Sequence, residues 1–564
     1  MGVVGEGDDR KIEEESVEQI QALVQKSVEL MEQNSTDRAI SMEALQNLRK
    51  LLGSSVAAIE VVVSSGLVPV LSSFLLAPSQ EMQIEAAWCL TNIASGDTSQ
   101  TSTVVAAVPC LVQLLASDPI QNRILHNQVV WCLGNMAGDT DATRQLLVAA
   151  GAVPALAAIL FANAEMLLNE AAADESNNTP PQAALDSAAV TTAWALSNMS
   201  RGSTPFAAFA LSADGGATTI VLSLLGLLNR TIALLMQKSI QPGVNLNSPK
   251  LKTCLELIEE LSWIFTFISK KDAPNEIGSL LLHHELGVTL CNVCDLYVPG
   301  HPSSLPALRA LGNLTSGPIE WLEYLMPSCP TLPTPSNIPP LIISTLTKSL
   351  SSGSSGHHAV LKEGLWVVAN LIGGTEGHRD IVISCPHLME LVILFLLSGQ
   401  FDLQREAIFT VVNAYKNNQF LQHLSTNREI LVRLIELLNA PDPEVVICSM
   451  NILRAVALGT GANELCIELG MMDVLDEIQY RSGNEDVRRL ASTLTDEIFA
   501  EDEEEIAASG SGNGFGLFDS DQSGKSNSDG TPAILRGNKD AVKPAWMTAT
   551  AAATNNKSSN VFTF

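Results

Sequence analysis

Positive charge is scarce in this sequence. Lys and Arg number 32 against 61 Asp and Glu over 564 residues, a formal net charge of −29. A chain this acidic repels nucleic acid and anionic membrane surfaces and attracts basic partners. Aromatic residues make up only 5%, and the apolar content is carried by Leu, Ala, Val and Ile, which suits packed helices rather than a β-sandwich. The opening residues, MGVVGEGDDRKIEEE, hold no apolar signal core, so secretion is not expected. No uninterrupted apolar run reaches transmembrane length, so no membrane partner is expected. The ten cysteines are scattered, mostly in apolar stretches (Cys89, Cys110, Cys132, Cys448), which is the usage of a reducing compartment. CNVC at 291–294 follows His283 and His284, but a second ligand pair is missing and no zinc is expected. There is no Gly-rich phosphate loop after a strand and no nucleophile elbow, so neither catalysis nor a cofactor is expected.

What the chain does have is repetition. GLVPVLSSFL (66–75) returns as AAVPCLVQLL (106–115) and GAVPALAAIL (151–160), with Pro69, Pro109 and Pro154 spaced 40 and 45 residues apart. Each proline suits the first turn of a helix, where its missing N–H costs little. Trp88 to Trp131 and Trp366 to Phe409 are both 43 residues. A period of about 40–47 with two or three helices per unit marks a HEAT or armadillo solenoid, whose repeats bury their apolar faces on one another. Gly96, Gly138, Gly202, Gly317 and Gly373 read as helix stops. Residues 163–186, 236–250, 326–340 and 351–358 read as loops projecting from the solenoid. The expected organisation is a disordered acidic N-terminus (1–16), an all-α, right-handed solenoid of about ten repeats (17–500), and a disordered low-complexity tail (501–564).

Inside the repeats lies a second pattern. AAWCLTNIASGD, WCLGNMAGD, WALSNMSRG and WVVANLIGG each place Asn four residues after Trp. Four residues is about one helical turn, so the two side chains share a face. A lone Trp on an apolar helix is core more often than site, and a mid-helix Asn is an oddity of poor propensity. Their joint recurrence in consecutive units points to a ligand. Stacked indoles form slots for the aliphatic stem of Lys or Arg, with the cationic head on a π-face or an acidic rim. Asn supplies both donor and acceptor to an extended peptide backbone.

These residues resemble a known family. IEAAWCLTNIASGDTSQT, QVVWCLGNMAGD and TTAWALSNMSRG are similar to the second to fourth armadillo repeats of importin-α (karyopherin-α), the adapter that recognises nuclear localisation signals. SVEQIQALV (16–24) and LVPVLSSFL (67–75) resemble its first repeat. LPALRALGNLTSG, KEGLWVVANLIGG and GQFDLQREAIFTVVNAY resemble later ones, and the acidic end and terminal FTF resemble its C-terminus. The resemblance implies a major peptide groove of Trp88, Asn92, Ser95, Gly96, Thr101, Gln128, Trp131, Asn135, Asp139, Trp194 and Asn198. In it, Asp139 takes the key lysine of the signal. It implies a minor groove of Arg309, Asn313, Glu363, Trp366, Asn370, Glu406 and Asn413. Phe409 stands where the family has Trp and Phe267 where it has Tyr, so a weakened minor groove is expected.

The resemblance also implies basic signal peptides as cargo, importin-β as carrier, an exportin for recycling, and residence in cytoplasm and nucleus. The family opens with a long Arg/Lys-rich segment that binds importin-β and folds back into the groove. Here only Arg10 and Lys11 precede the first repeat. The expectation is a groove not filled by such a segment and a coupling to importin-β that lacks it. Two alternatives stand beside the import adapter: a non-transporting scaffold of the catenin kind, which binds acidic peptides, and a holder or chaperone of basic signals.

Overall fold

The computed structural model describes residues 17–33, 38–54, 56–119, 121–173, 187–202, 216–240, 248–270, 275–326 and 340–510. The expected disordered N-terminus and the tail beyond 510 lie outside the described residues. Every described element is a helix. The chain divides into two compact units between Ile268 and Ser269.

In the first unit a short helix, a second short helix and a longer third one recur, as in Thr98–Val104, Val108–Leu114 and Arg123–Asp139. The longer helices pack in sequence order. The Arg49 helix (Arg38–Ser54) lies on the Trp88 helix (Gln80–Ala94), which lies on the Trp131 helix (Arg123–Asp139). That one lies on the Trp194 helix (Ala188–Met199), which in turn lies on the Trp263 helix (Pro249–Ile268). The second unit repeats the scheme with the Arg309 helix (Leu305–Thr315), the Trp366 helix (His358–Ile372), the Phe409 helix (Phe401–Ala414), Pro443–Thr460 and Glu485–Gly510. Leu90, Ile93, Leu111, Leu133 and Met136 fill the core of the first unit, and Leu311, Leu365, Ile372 and Ile408 that of the second, all without solvent contact. Each such side chain contributes about 1.5–3 kcal/mol of burial.

The prolines fall as expected. Pro69 and Pro109 sit in the first turns of Val68–Ser73 and Val108–Leu114, and Pro154 in that of Ala152–Ala172. The loop expected from residue 163 starts later. The helix runs on to Ala172, because FANAEMLLNEAA is rich in strong helix formers and buries Ala164, Leu167 and Leu168. Helices likewise enter both ends of the expected 236–250 loop, one ending at Ser239 and the next starting at Pro249, and the final helix continues to Gly510. Residues 351–358 hold a single 3-10 turn, Gly353–Ser355, before the Trp366 helix begins at His358.

Three helices are long and apolar enough to cross a membrane by length and composition: Ala152–Ala172, Ile220–Ser239 and Pro443–Thr460. Sequence reading expected none, because polar residues interrupt each run. About half of each stretch is buried against neighbouring helices of its own unit.

Of the expected glycine stops, Gly202 adopts a left-handed φ of 85°, whereas Gly138 lies inside the last turn of the Trp131 helix. Gly96 is needed for space. A Cβ there would collide with Gln100, whose side chain completes a capping box with Asp97 at the start of Thr98–Val104. Asp97→Ala should therefore cost about 1 kcal/mol, read as faster amide exchange confined to residues 98–104.

Candidate functional site

The recurring asparagines form a bonded ladder. Asn135 Nδ2 donates to the Thr91 carbonyl at 3.2 Å, Asn198 to Gly134 at 3.1 Å, Asn370 to Gly312 at 3.3 Å and Asn413 to Ala369 at 3.2 Å. Each acceptor is the residue immediately before the asparagine of the preceding longer helix. Asn92 starts the series by donating to the Arg49 carbonyl at 3.3 Å. In the second unit Asn313 reaches Ser269 Oγ at 3.5 Å. A helical carbonyl has a second lone pair, so it accepts this bond while keeping its own i→i+4 partner. The bond spends one amide hydrogen per asparagine and orients the other polar atoms. Asn198 Oδ1 is buried and makes no hydrogen bond within the chain.

The tryptophans stand on the same rungs. Trp88, Trp131 and Trp194 are half-buried on three consecutive packed helices. Trp194 packs on Gly134, where a Cβ would collide with the six-membered ring of the indole. Trp366 lies likewise on Gly312, with a clash at 1.9 Å. These seating glycines escaped the sequence reading, although a mid-helix Gly directly before Asn is a visible signal. Trp366 is more deeply set than the first-unit rings, at 7% exposure. Trp321 is a contrasting core residue. It is 3% exposed, crowds Gly278 and Gly317, and donates its indole N–H to Ser279 Oγ at 3.1 Å.

The remaining candidates divide by exposure. Asp139 ends the Trp131 helix half-exposed and accepts a 2.7 Å bond from Thr98 Oγ1. Ser95 is exposed and Gly96 half-exposed, with Ser95 Oγ on the Asn92 carbonyl. Gln128 and Thr101 are buried. Gln128 Nε2 donates to Thr91 Oγ1 at 2.8 Å, and Thr101 Oγ1 to the Ala94 carbonyl at 3.2 Å.

A carboxylate recurs three residues before the ring, on the same helical face. It is Glu85 before Trp88, Glu260 before Trp263, Glu363 before Trp366 and Glu406 before Phe409. The spacing marks all four, of which Glu363 and Glu406 are also positions that the resemblance implies. Glu363 takes both Nε and Nη2 of Arg309, at 3.0 and 2.6 Å. Its other oxygen is buried without a hydrogen bond, and burial raises its pKa against the pull of Arg309. Glu406 is buried, with Oε1 3.6 Å from Arg405 and without a hydrogen bond. Burial pushes its pKa up to about 7 against the opposing pull of Arg405 and Lys362. Glu260 accepts from Ser197 Oγ at 3.2 Å and is likewise pushed up to about 7, first by burial. A carboxyl raised in the folded state favours the protonated fold. Its contribution is fully present below the usual carboxylate range and is lost as pH rises through about 7.

Arginines lie over three of the rings. Arg49 Cζ is 4.4 Å from the Trp88 ring centre, Arg201 Cζ 5.6 Å from Phe267, and Arg405 Cζ 4.9 Å from Phe409. Trp263 stacks on Phe267 with centroids 5.9 Å apart. Among the described residues, no cation of the chain lies over Trp131 or Trp194. Cys291 and Cys294 are buried in Leu286–Leu296, with thiol pKa values raised by burial, while His283 and His284 are exposed. No group of three His, Cys, Asp or Glu able to hold a metal is found among the described residues.

The seat under Trp194 can be tested. Gly134→Ala should displace the indole and destabilise the first unit by about 1–3 kcal/mol despite the better helix propensity of Ala. Gly138→Ala, whose Cβ meets only Asn198 Nδ2 at 3.6 Å, should be neutral or stabilising. Thermal melts and near-UV circular dichroism of the two variants check this.

Comparison with known proteins agrees with the geometry. The Armadillo/beta-catenin-like repeat model matches residues 55–95. Importin subunit alpha-9 of Arabidopsis thaliana is 27% identical over 478 residues, 81% of this chain and 79% of that protein. Importin subunit alpha-2 of Oryza sativa subsp. japonica is 26% identical over 479 residues, 82% and 78% respectively. Among solved structures, an engineered protein superposes with a TM-score of 0.62 at 23% identity, covering 84% of this chain and 98% of that one. A structure from work on the phosphorylation switch between cadherin and beta-catenin superposes at 0.57 and 13% identity, covering 85% and 86%. These two support the all-α armadillo fold alone. The repeat model and the superposed structures make the chain an all-α armadillo-repeat protein, and over about four fifths of its length it is similar to importin subunits alpha.

Proposed function

We propose that this chain is a nuclear import adapter that holds Lys/Arg-rich localisation signals, in extended conformation, along its Trp–Asn rungs. One observation carries the reading. Trp131 and Trp194 are half-exposed on adjacent helices and have no cation of their own among the described residues, and the half-exposed Asp139 carboxylate ends the Trp131 helix. A lysine stem between the indoles would gain about 0.5–2 kcal/mol per cation–π contact, and its ammonium would reach Asp139. The half-exposed Asn92 and Asn135 keep an oxygen and a second amide hydrogen for a peptide backbone, whereas Asn370 Nδ2 also donates to Thr315 Oγ1 at 3.2 Å. The second unit offers a smaller version around Trp366, where Glu363 and Glu406 are buried and add negative potential beneath the ring. Its Phe409 is a weaker partner than Trp and already carries Arg405.

By likeness to its relatives, importin-β is the carrier and an exportin the recycler, with passage between cytoplasm and nucleus. The chain acts as an adapter and not as an enzyme. The net charge of −29 disfavours a scaffold for acidic peptides, since it would repel them.

With a fluorescent basic peptide, Trp131→Ala and Asp139→Asn should each weaken binding about tenfold or more, the second with a smaller salt dependence. Unchanged affinity in both would remove the proposal. A parallel pull-down of importin-β separates the adapter from a non-transporting holder.

Glu260 and Glu406 titrate near neutrality, and an arriving cation favours their ionised forms. Binding should therefore tighten from pH 6 to 8 and release protons near pH 7. Calorimetry in buffers of different ionisation enthalpy should show that release at pH 7 and not at pH 9.

A further inference from the structure

The ladder has an end, and an arginine stands there. Asn92 donates to the carbonyl of Arg49 just as Asn198 donates to Gly134 and Asn370 to Gly312. Arg49 thus occupies the register position held on the later rungs by Thr91, Gly134, Gly312 and Ala369, small residues of which the two glycines seat the next tryptophan. Its guanidinium lies over Trp88 at 4.4 Å. Its Nε donates to Glu85 at 2.6 Å, and the Glu85 side chain is only 14% exposed. The following residue, at the asparagine position of that rung, is the exposed Lys50. The Trp88 face turned toward the Arg38–Ser54 helix, and the carboxylate that would serve it, are therefore already filled by a cation of the chain itself.

We infer that Arg49 is a specificity-determining residue that closes the row of cation positions at Trp88, so that the ligand residue reaching this end is not basic. This rests on the basic-peptide reading above. Arg49 satisfies Glu85 and the indole together, and an incoming lysine would have to displace it while facing Lys50 as a like charge. Removing the arginine reverses the situation. It leaves a half-buried carboxylate beside an open indole, a combination that binds cations.

The test uses a basic core peptide extended by one or two residues of Lys, Ala or Glu, in separate series at the N-terminal and C-terminal ends. With the unaltered chain, in the series that reaches Trp88, Lys should give no gain over Ala, and Glu should bind at least as well. With Arg49→Ala, Lys in that same series should gain about five- to thirtyfold. The double variant Arg49→Ala/Glu85→Gln should lose most of that gain, an outcome that a merely structural arginine would not produce. Arg49→Gln, which keeps the side-chain length, guards against loss of fold and should show a gain of the same sign. A Lys preference already present at both ends of the unaltered chain would overturn the inference. So would an Arg49→Ala chain whose Lys, Ala and Glu ranking is unchanged, or one that binds every peptide more weakly. Failure of the unaltered chain to bind the basic core at all would overturn the functional reading and this inference together.

Discussion

One hydrogen bond fixes the register of four packed helix pairs: an asparagine amide donating to the carbonyl one residue before the asparagine of the preceding helix. Helix packing by apolar side chains tolerates rotation and sliding, because burial is non-directional. A buried amide aimed at one carbonyl does not, because a slip of one residue would strand a polar group at a cost of about 1–3 kcal/mol. Everything on the rung inherits that alignment. Trp194 and Trp366 find glycines beneath them because the bond brings Gly134 and Gly312 opposite the rings.

The same arrangement separates what the rung spends on itself from what it can offer. One amide hydrogen of each asparagine is committed to the fold. Three of the four acidic residues standing three before the rings are balanced by arginines of the chain, Glu85 by Arg49, Glu363 by Arg309 and Glu406 by Arg405, while Glu260 accepts from Ser197 Oγ. A face this acidic could not be buried without internal countercharge, and the countercharge also grades the rungs. Trp131 and Trp194 stay open, whereas Trp88, Phe267 and Phe409 carry a guanidinium. The open indole faces are therefore unevenly distributed over rungs that look regular in sequence.

Trp88 and Trp131 could be paired before any coordinates, because the four-residue Trp–Asn spacing within a helix and the 43-residue spacing between helices are both periodic, whereas Trp194, 63 residues after Trp131, is marked by its Trp–Asn spacing alone. The prolines could be placed for a local reason, their suitability for a first helical turn. The helix boundaries at 163–172 and 501–510 were misjudged. Polar, Ala-rich and Glu-rich stretches are compatible with loop and helix alike, and packing decides between them. Glu85 and Glu260 were passed over, although their spacing before Trp88 and Trp263 matches that of Glu363 and Glu406.

The sequence by itself determined the repeat, the helical class and the pairing of indole with amide, since all three are properties of residue type and spacing along one helix. Only the tertiary structure decided where the asparagine hydrogens go, which rings rest on glycine and which are capped by arginine. Those partners come from helices some 40 to 60 residues away, and a backbone carbonyl or an arginine rotamer leaves no mark in the sequence that specifies it.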